Sequence, residues 1–319
     1  MLDANLIVNV NTPFPSNASL QRNGGFTLVE VLVATLVSSI VLAILLYATS
    51  LATDSWKNSR EKVRASRQAK IALDQMARDF ESMQVRMGKD LEWLYIGIDQ
   101  QGSSVGAKIA LFTGATDRYN GQVGVGGIDK GGDVSAVAYR LLFKEPISNS
   151  GDEFAVYALY RNLMDPSIAF DDVLGKEKLL ETGGDAGPFK EHFDQIGDVS
   201  NFVCENILEL SVAFLIQYKG TDGSSLVDKQ KRITVVDTSG GQLPEEVRIK
   251  GSGITFQPAI AEEEAIGRGR LVSAELSVSV ITDSAMSAIR ENRITAEELE
   301  DYISKNTYKY TKVVQLPSL

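Results

Sequence analysis

One carboxylate, Glu30, stands in "FTLVEVLVATLVSSIVLAILLYATSLAT", an apolar run from Phe26 that carries no other charge before Asp54. A charge at membrane depth costs about 2.5–3.5 kcal/mol on insertion scales, so a carboxylate kept there is expected to serve a partner. The chemistry open to it is pairing with a cation. Other reactive groups are sparse. His192 is the only histidine and Cys204 the only cysteine, so no intrachain disulfide can form and no multi-histidine metal centre can be built. His192, beside Glu191 in "KEHFDQ", reads as a solvated side chain. Cys204, at the entry to a strand in "NFVCENILELSV", reads as a small buried apolar residue. Asp129 and Asp133 could share a Ca²⁺ in their Gly-rich loop, although loop acids are ordinarily just solvated. There is no GxxxxGK[ST], GxSxG or metalloprotease pattern. No catalytic residues, no metal ligands and no cofactor are therefore assigned.

The element that must carry Glu30 is a helix. From Phe26 to Met87 there are 62 residues without Gly or Pro, and that absence points to continuous helix. The first part, 26–52, is apolar all round and long enough to span a ~30 Å hydrocarbon core at ~1.5 Å per residue. The hydroxyls of Ser38 and Ser39 are expected to bond back to helix carbonyls. Over 53–88 the helix turns amphipathic, with a stripe of Trp56, Val63, Ala69, Leu73, Met76, Phe80, Met83 and Met87 and a stop at Gly88. The opposite face carries Lys57, Arg60, Glu61, Lys62, Arg64, Arg67, Lys70, Asp74, Arg78 and Asp79. The stripe is expected to pack on its own domain, with its weak first half, from Trp56 to Ala69, open to neighbouring subunits.

After Gly88 the period falls to two. Leu208 to Tyr218 and Val272 to Val280 alternate cleanly as half-buried strands. Further strands are expected at Lys108–Phe112, Val134–Phe143, Phe154–Arg161, Arg232–Val236, Glu246–Ile249 and Lys312–Leu316. Few helical runs of crossover length separate them, so the sheet is expected to be mainly antiparallel. Thr295 followed by Glu298 reads as a capping box opening a short helix to Ser304. The stretches 113–133 and 165–200 read as long surface loops. The expected class is α+β, a long N-terminal helix packed on an antiparallel sheet, with residues 89–319 as one domain.

Charge limits the partners. The chain carries −10 overall; its first 25 residues hold one charge of each sign, and Phe26 to Gly88 holds eight basic and six acidic residues. The residues from Lys89 onward therefore carry −12. Such a surface repels phosphate backbones, so nucleic acid is not an expected partner.

The junction Gly24-Gly25-Phe26-Thr27-Leu28-Val29-Glu30, preceded by Arg22 and followed by the apolar helix, resembles the cleavage site of type IV pilins and of type II secretion pseudopilins. The resemblance implies a leader at 1–25, removed between Gly25 and Phe26 by a membrane-embedded prepilin peptidase on the cytoplasmic face, and N-methylation of Phe26. It implies that Glu30 pairs with the freed N-terminus of a neighbouring subunit, an amine of reference pKa near 8. It also implies a single-pass inner-membrane protein with its large domain in the periplasm, assembled with other pilin-type subunits into a pilus-like structure. Where many major pilins carry a helix-kinking Pro this chain has Tyr47, which favours a minor pilin or pseudopilin. The segment "RQAKIALDQMARDFESM", with Leu73, Arg78, Asp79 and Phe80, is similar to the J-class minor pseudopilin.

Other readings stay open at this point. A secretory signal ending at Ser50-Leu51-Ala52, a plain signal anchor, or a membrane-anchored periplasmic binding protein would each account for part of the pattern. The distribution of basic charge opposes the implied orientation. Six Lys/Arg follow Ala52 within 20 residues, against Arg22 alone on the leader side.

Overall fold

The computed structural model describes residues 26–85, 88–101, 104–114, 134–147, 154–181, 186–222, 225–235 and 244–317. Gly25, Asp129 and Asp133 lie outside the described residues. The chain divides after Trp56 into two units, the second being Lys57–Leu319.

Helix α1 runs over Leu28–Glu81, unbroken through Ser50-Leu51-Ala52. Every residue from Phe26 to Arg60 is exposed. It is the one helix, among the described residues, long and apolar enough to cross a membrane. Its hydroxyls bond backward as expected, Ser39 Oγ to the Thr35 carbonyl at 2.8 Å and Thr49 Oγ1 to the Leu45 carbonyl at 2.8 Å. This keeps polar atoms satisfied inside an apolar segment. The helix ends at Glu81 and not at Gly88. The Gln84 N–H donates to the Phe112 carbonyl at 2.9 Å, the Gly114 N–H donates to the Ser82 carbonyl at 2.9 Å, and Met83 bridges Thr113. The backbone thus exchanges helical bonds for sheet bonds, and Gly88, at φ +91°, lies in the turn beyond.

Eleven strands form one branched sheet among the described residues. They are β1 (Glu92–Gln101), β2 (Ser104–Thr113), β3 (Ser135–Lys144), β4 (Val156–Leu163), β5 (Phe202–Glu205), β6 (Ile207–Asp222), β7 (Ser225–Val235), β8 (Glu246–Lys250), β9 (Gly253–Gln257), β10 (Arg270–Ile281) and β11 (Thr307–Gln315). All pairings are antiparallel except a short parallel contact of β2 with β6 at Val105–Gly106. There β2 changes partner: its other edge continues with β3 from Ile109 onward. Each expected strand segment falls within or overlaps one of these strands. β1, β5 and β9 and the first part of β7 fall outside the expected segments.

The sheet has two covered faces. On one, Leu94 and Ile96 of β1, Ile109 and Leu111 of β2, Val137 and Tyr139 of β3 and Leu159 of β4 pack with α1 through Ala65, Ala69, Ala72, Leu73, Met76 and Phe80. Burial of Leu73, Met76 and Phe80 contributes roughly 1.5–3 kcal/mol each. The alanines let the helix approach closely. Trp56 and Val63 are exposed, so the buried stripe starts at Ala65.

On the opposite face lie the alternate residues, Trp93 and Tyr95, Ala110 and Phe112, Ala136 and Ala138, Ala158 and Tyr160. They are covered by the stretch expected to be a surface loop. It contains α2 (Pro166–Ile168) leading into a π turn at Ala169–Val173, and α3 (Lys190–Asp194). It buries Ala169, Val173, Leu179, Leu180, Phe189, Phe193 and Ile196. These buried apolar residues, spaced among exposed polar ones, make it a covering layer of the core, which corrects the loop reading. His192 is accordingly half-buried against the Phe189 ring, and burial holds its pKa below the ordinary value.

The remaining helices are α4 (Glu263–Gly267), α5 (Asp283–Arg290) and α6 (Leu299–Lys305). The Thr295 reading needs correction. Its hydroxyl donates to the Glu298 carboxylate at 2.9 Å, and Glu298 itself is the N-cap of α6 without a side-chain cap bond. The pair closes a turn ahead of the helix, which starts four residues after Thr295. Cys204 is buried, and desolvation pushes its thiol up to about 12, so it stays a neutral apolar group.

Candidate functional site

Phe26 and Glu30, two of the residues singled out from sequence, sit at the start of α1. Phe26 is 81% exposed just ahead of the helix. Thr27 opens it: its Oγ1 accepts the Glu30 N–H at 3.2 Å, and its carbonyl accepts the Val31 N–H at 3.2 Å. The sequence Thr27-Leu28-Val29-Glu30 is a T-x-x-E pattern at a helix N-terminus. Glu30 therefore lies in the first turn, where the helix dipole favours negative charge. This adds a local reason for a carboxylate at this position, legible from the spacing of Thr27 and Glu30. What the geometry offers chemically is an exposed carboxylate one turn from the helix start, beside an exposed Phe26. Such a carboxylate can bind a cation. It has no nucleophile–base arrangement.

The second part of α1 is fixed to the sheet by a buried ion pair. Asp79 accepts from Arg161 on β4 through both oxygens, Nε to Oδ2 and Nη2 to Oδ1 at 2.7 Å each, and from the Tyr139 hydroxyl on β3. Both charged side chains have no exposed surface. Burial alone would lower the Arg161 pKa, but the Asp79 carboxylate raises it, and burial with the Asp79 charge raises that of Tyr139 far above its ordinary value. Asp79 thus belongs to the buried side of α1, not to the polar face on which its spacing from Lys70 and Asp74 put it. Nearer the start of this unit, Arg64 reaches Glu205 at 2.9 Å and Asp283 at 2.5 Å, and Lys312 of β11 reaches Asp74 at 2.7 Å.

A second cluster ties down the other covering layer. Arg248 on β8 pairs with Glu92 at 2.9 Å and Glu246 at 3.0 Å, donates to the Leu180 carbonyl at 2.7 Å, and stacks 4.7 Å from the Tyr95 ring centroid. The other Glu92 oxygen accepts the Leu179 N–H. Burial raises the Glu92 pKa above its ordinary value in spite of these partners. Two carboxylates around one guanidinium hold segments together. Among the described residues, no group of three or more His, Cys, Asp or Glu is placed to hold a metal ion.

A family model described as the prokaryotic N-terminal methylation motif matches residues 20–46. No curated protein and no solved structure matches the chain. The matched stretch spans the Gly25–Phe26 junction, Glu30 and most of the apolar segment 26–52. The chain thus joins a type IV pilin-type methylation motif to the one helix, among the described residues, long and apolar enough to cross a membrane, and to an antiparallel α+β domain.

Proposed function

We propose that this chain is a minor subunit of a pilus-like assembly belonging to a type II secretion or type IV pilus system, most similar to the J-class pseudopilin. The observation that carries this reading is the methylation motif at 20–46, set at the start of a helix whose apolar surface is exposed on all sides. In this reading residues 1–25 are a leader, 26–52 the membrane segment, 53–88 its amphipathic continuation and 89–319 a periplasmic domain. Prepilin peptidase cuts between Gly25 and Phe26 and the new amino group is methylated. Glu30 of one subunit then meets the N-terminus of another within the membrane, where a pair of opposite charges avoids the cost that either incurs alone. The orientation follows from the cut, which requires Gly25 at the cytoplasmic face, and it overrides the basic run after Ala52.

Mass spectrometry of the protein from its native membrane tests the reading. The expected result is an N-terminus at methylated Phe26, with a Gly25→Leu variant retaining its leader. An intact Met1 terminus, or one at Thr53, overturns it.

A further inference from the structure

The chain enters its second unit at Lys57, five residues after Ala52, about 8 Å of helix beyond the apolar segment. Its first contacts show which end of the unit this is. Ser284 donates to Glu61 at 2.9 Å, and Arg64 reaches Glu205 at 2.9 Å and Asp283 at 2.5 Å. Glu205 stands in register with Ala158, near the start of β4. Asp79, about four turns further along α1, meets Arg161 further along the same strand. α1 and β4 therefore advance in the same direction, and the start of β4 lies at the Lys57 end. The end of β3 lies there too, because Lys144 pairs with Val156.

That end exposes large apolar side chains. Ile147, which follows β3, is 86% exposed, and Phe154, which precedes β4, is 56% exposed. Phe143 is also exposed, with its ring 4.7 Å from that of Tyr157. The Arg290 guanidinium lies 5.5 Å from the Phe154 ring centroid, at the end of α5, the helix whose first residue, Asp283, pairs with Arg64. Apolar side chains gathered in one exposed place mark an interaction surface. Its place in the unit selects the occupant, since the chain arrives at this end directly from a segment able to cross a membrane. Aromatic and aliphatic groups beside an arginine suit the boundary between acyl chains and headgroups. Glu145 and Glu291 stand close by in sequence, so attraction to anionic lipid is not what draws the surface down; burial of apolar area is.

We propose that the β3–β4 end of the domain, through Ile147 and Phe154, rests in the interfacial layer of the bilayer that the apolar segment crosses. The two side chains enter the upper acyl region, and the Arg290 guanidinium meets a lipid phosphate. The seat steadies the domain of an anchored subunit before it joins any assembly. It rests on the single-pass membrane part of the proposed function, and on neither the cut after Gly25 nor the pairing of Glu30.

The test uses the full chain, purified from its native membrane and reconstituted in phosphatidylcholine vesicles, with bimane on Ile147→Cys; buried Cys204 stays unlabelled. Lipid brominated along its acyl chains is expected to quench most of the bimane fluorescence. Leu226→Cys serves as the control. Leu226 is 73% exposed on the β6–β7 hairpin, at the far end of β6 from Asn206 and its partner Asp283, and bimane there is expected to keep its fluorescence. Phe154→Asp on the Ile147→Cys chain is expected to abolish the quenching. No quenching at Ile147, equal quenching at Leu226, or quenching at Ile147 that requires an anionic lipid overturns the proposal. The N-terminal mass of the same protein separates the two readings. Chains processed to Phe26 without quenching leave the pilin reading standing and remove this one; quenching in chains that keep Met1 does the reverse.

Discussion

Asp79 on α1 and Arg161 on β4 form a bidentate ion pair in which neither side chain reaches solvent. Desolvation of both charges offsets much of their attraction, so the pair is a weak source of net stability and a strong penalty when broken. Its geometry does something further. A guanidinium fork accepts a carboxylate in one orientation, and Tyr139 adds a third fixed bond, so the helix can lie on the sheet in one register only. Asp79→Asn leaves a buried guanidinium without its counter-charge and is expected to lower stability by roughly 3–5 kcal/mol. Asp79→Leu combined with Arg161→Met is expected to recover most of that loss. Denaturant titration of the detergent-solubilised full chain measures both; a single variant as stable as the parent would show that the pair does not fix the helix.

The Arg248 cluster predicts a pH dependence. Glu92 has a folded-state pKa above the ordinary carboxylate value, chiefly because it is buried. Its protonated form is therefore favoured by folding. The associated stability is present below the unfolded pKa of about 4.3 and is lost as pH rises through the raised folded value. Replacing Glu92 with Gln leaves Arg248 with one carboxylate, Glu246, and removes the titrating group. Stability of Glu92→Gln measured from pH 4 to pH 7 is expected to fall less with rising pH than that of the parent. Parallel curves for the two proteins would rule the assignment out.

How far the sequence reveals this architecture depends on how many faces each element buries. β6 and β10 are legible because one side of each strand is apolar and the other polar, as in Leu210, Val212 and Phe214 against Glu209 and Ser211. β1 is not, because Trp93 and Tyr95 enter one core while Leu94 and Ile96 enter the other, so its run has no alternation to detect. The covering layer over 166–181 and 186–196 is hidden for a related reason: short helical turns bury single residues at irregular spacing. Asp79 reads as polar surface because its partner lies 82 residues away, and local spacing carries no information about Arg161. The candidate site fares differently. Phe26 and Glu30 are adjacent to a strong local pattern, and Thr27 as the residue that caps the helix follows from the same four letters.

The arrangement at the helix start sets a second role for Glu30 beside the one proposed for it in assembly, and one pair of variants tells them apart. As the T-x-x-E acid, Glu30 is replaceable by Gln, which retains the polar group used in a capping box. As the partner of a cationic N-terminus, it is replaceable by neither Gln nor Val, because both lack the charge. Removing the charge also eases membrane insertion. Glu30→Gln and Glu30→Val are therefore both expected to insert, and to lose their leader, at normal levels. Both are expected to fail in cross-linking to partner subunits in the native membrane. Normal cross-linking of Glu30→Gln with failure of Glu30→Val would assign Glu30 to the helix start alone. Normal cross-linking of both would free the carboxylate from any part in assembly, and the terminus proposed at Phe26 would need a different partner.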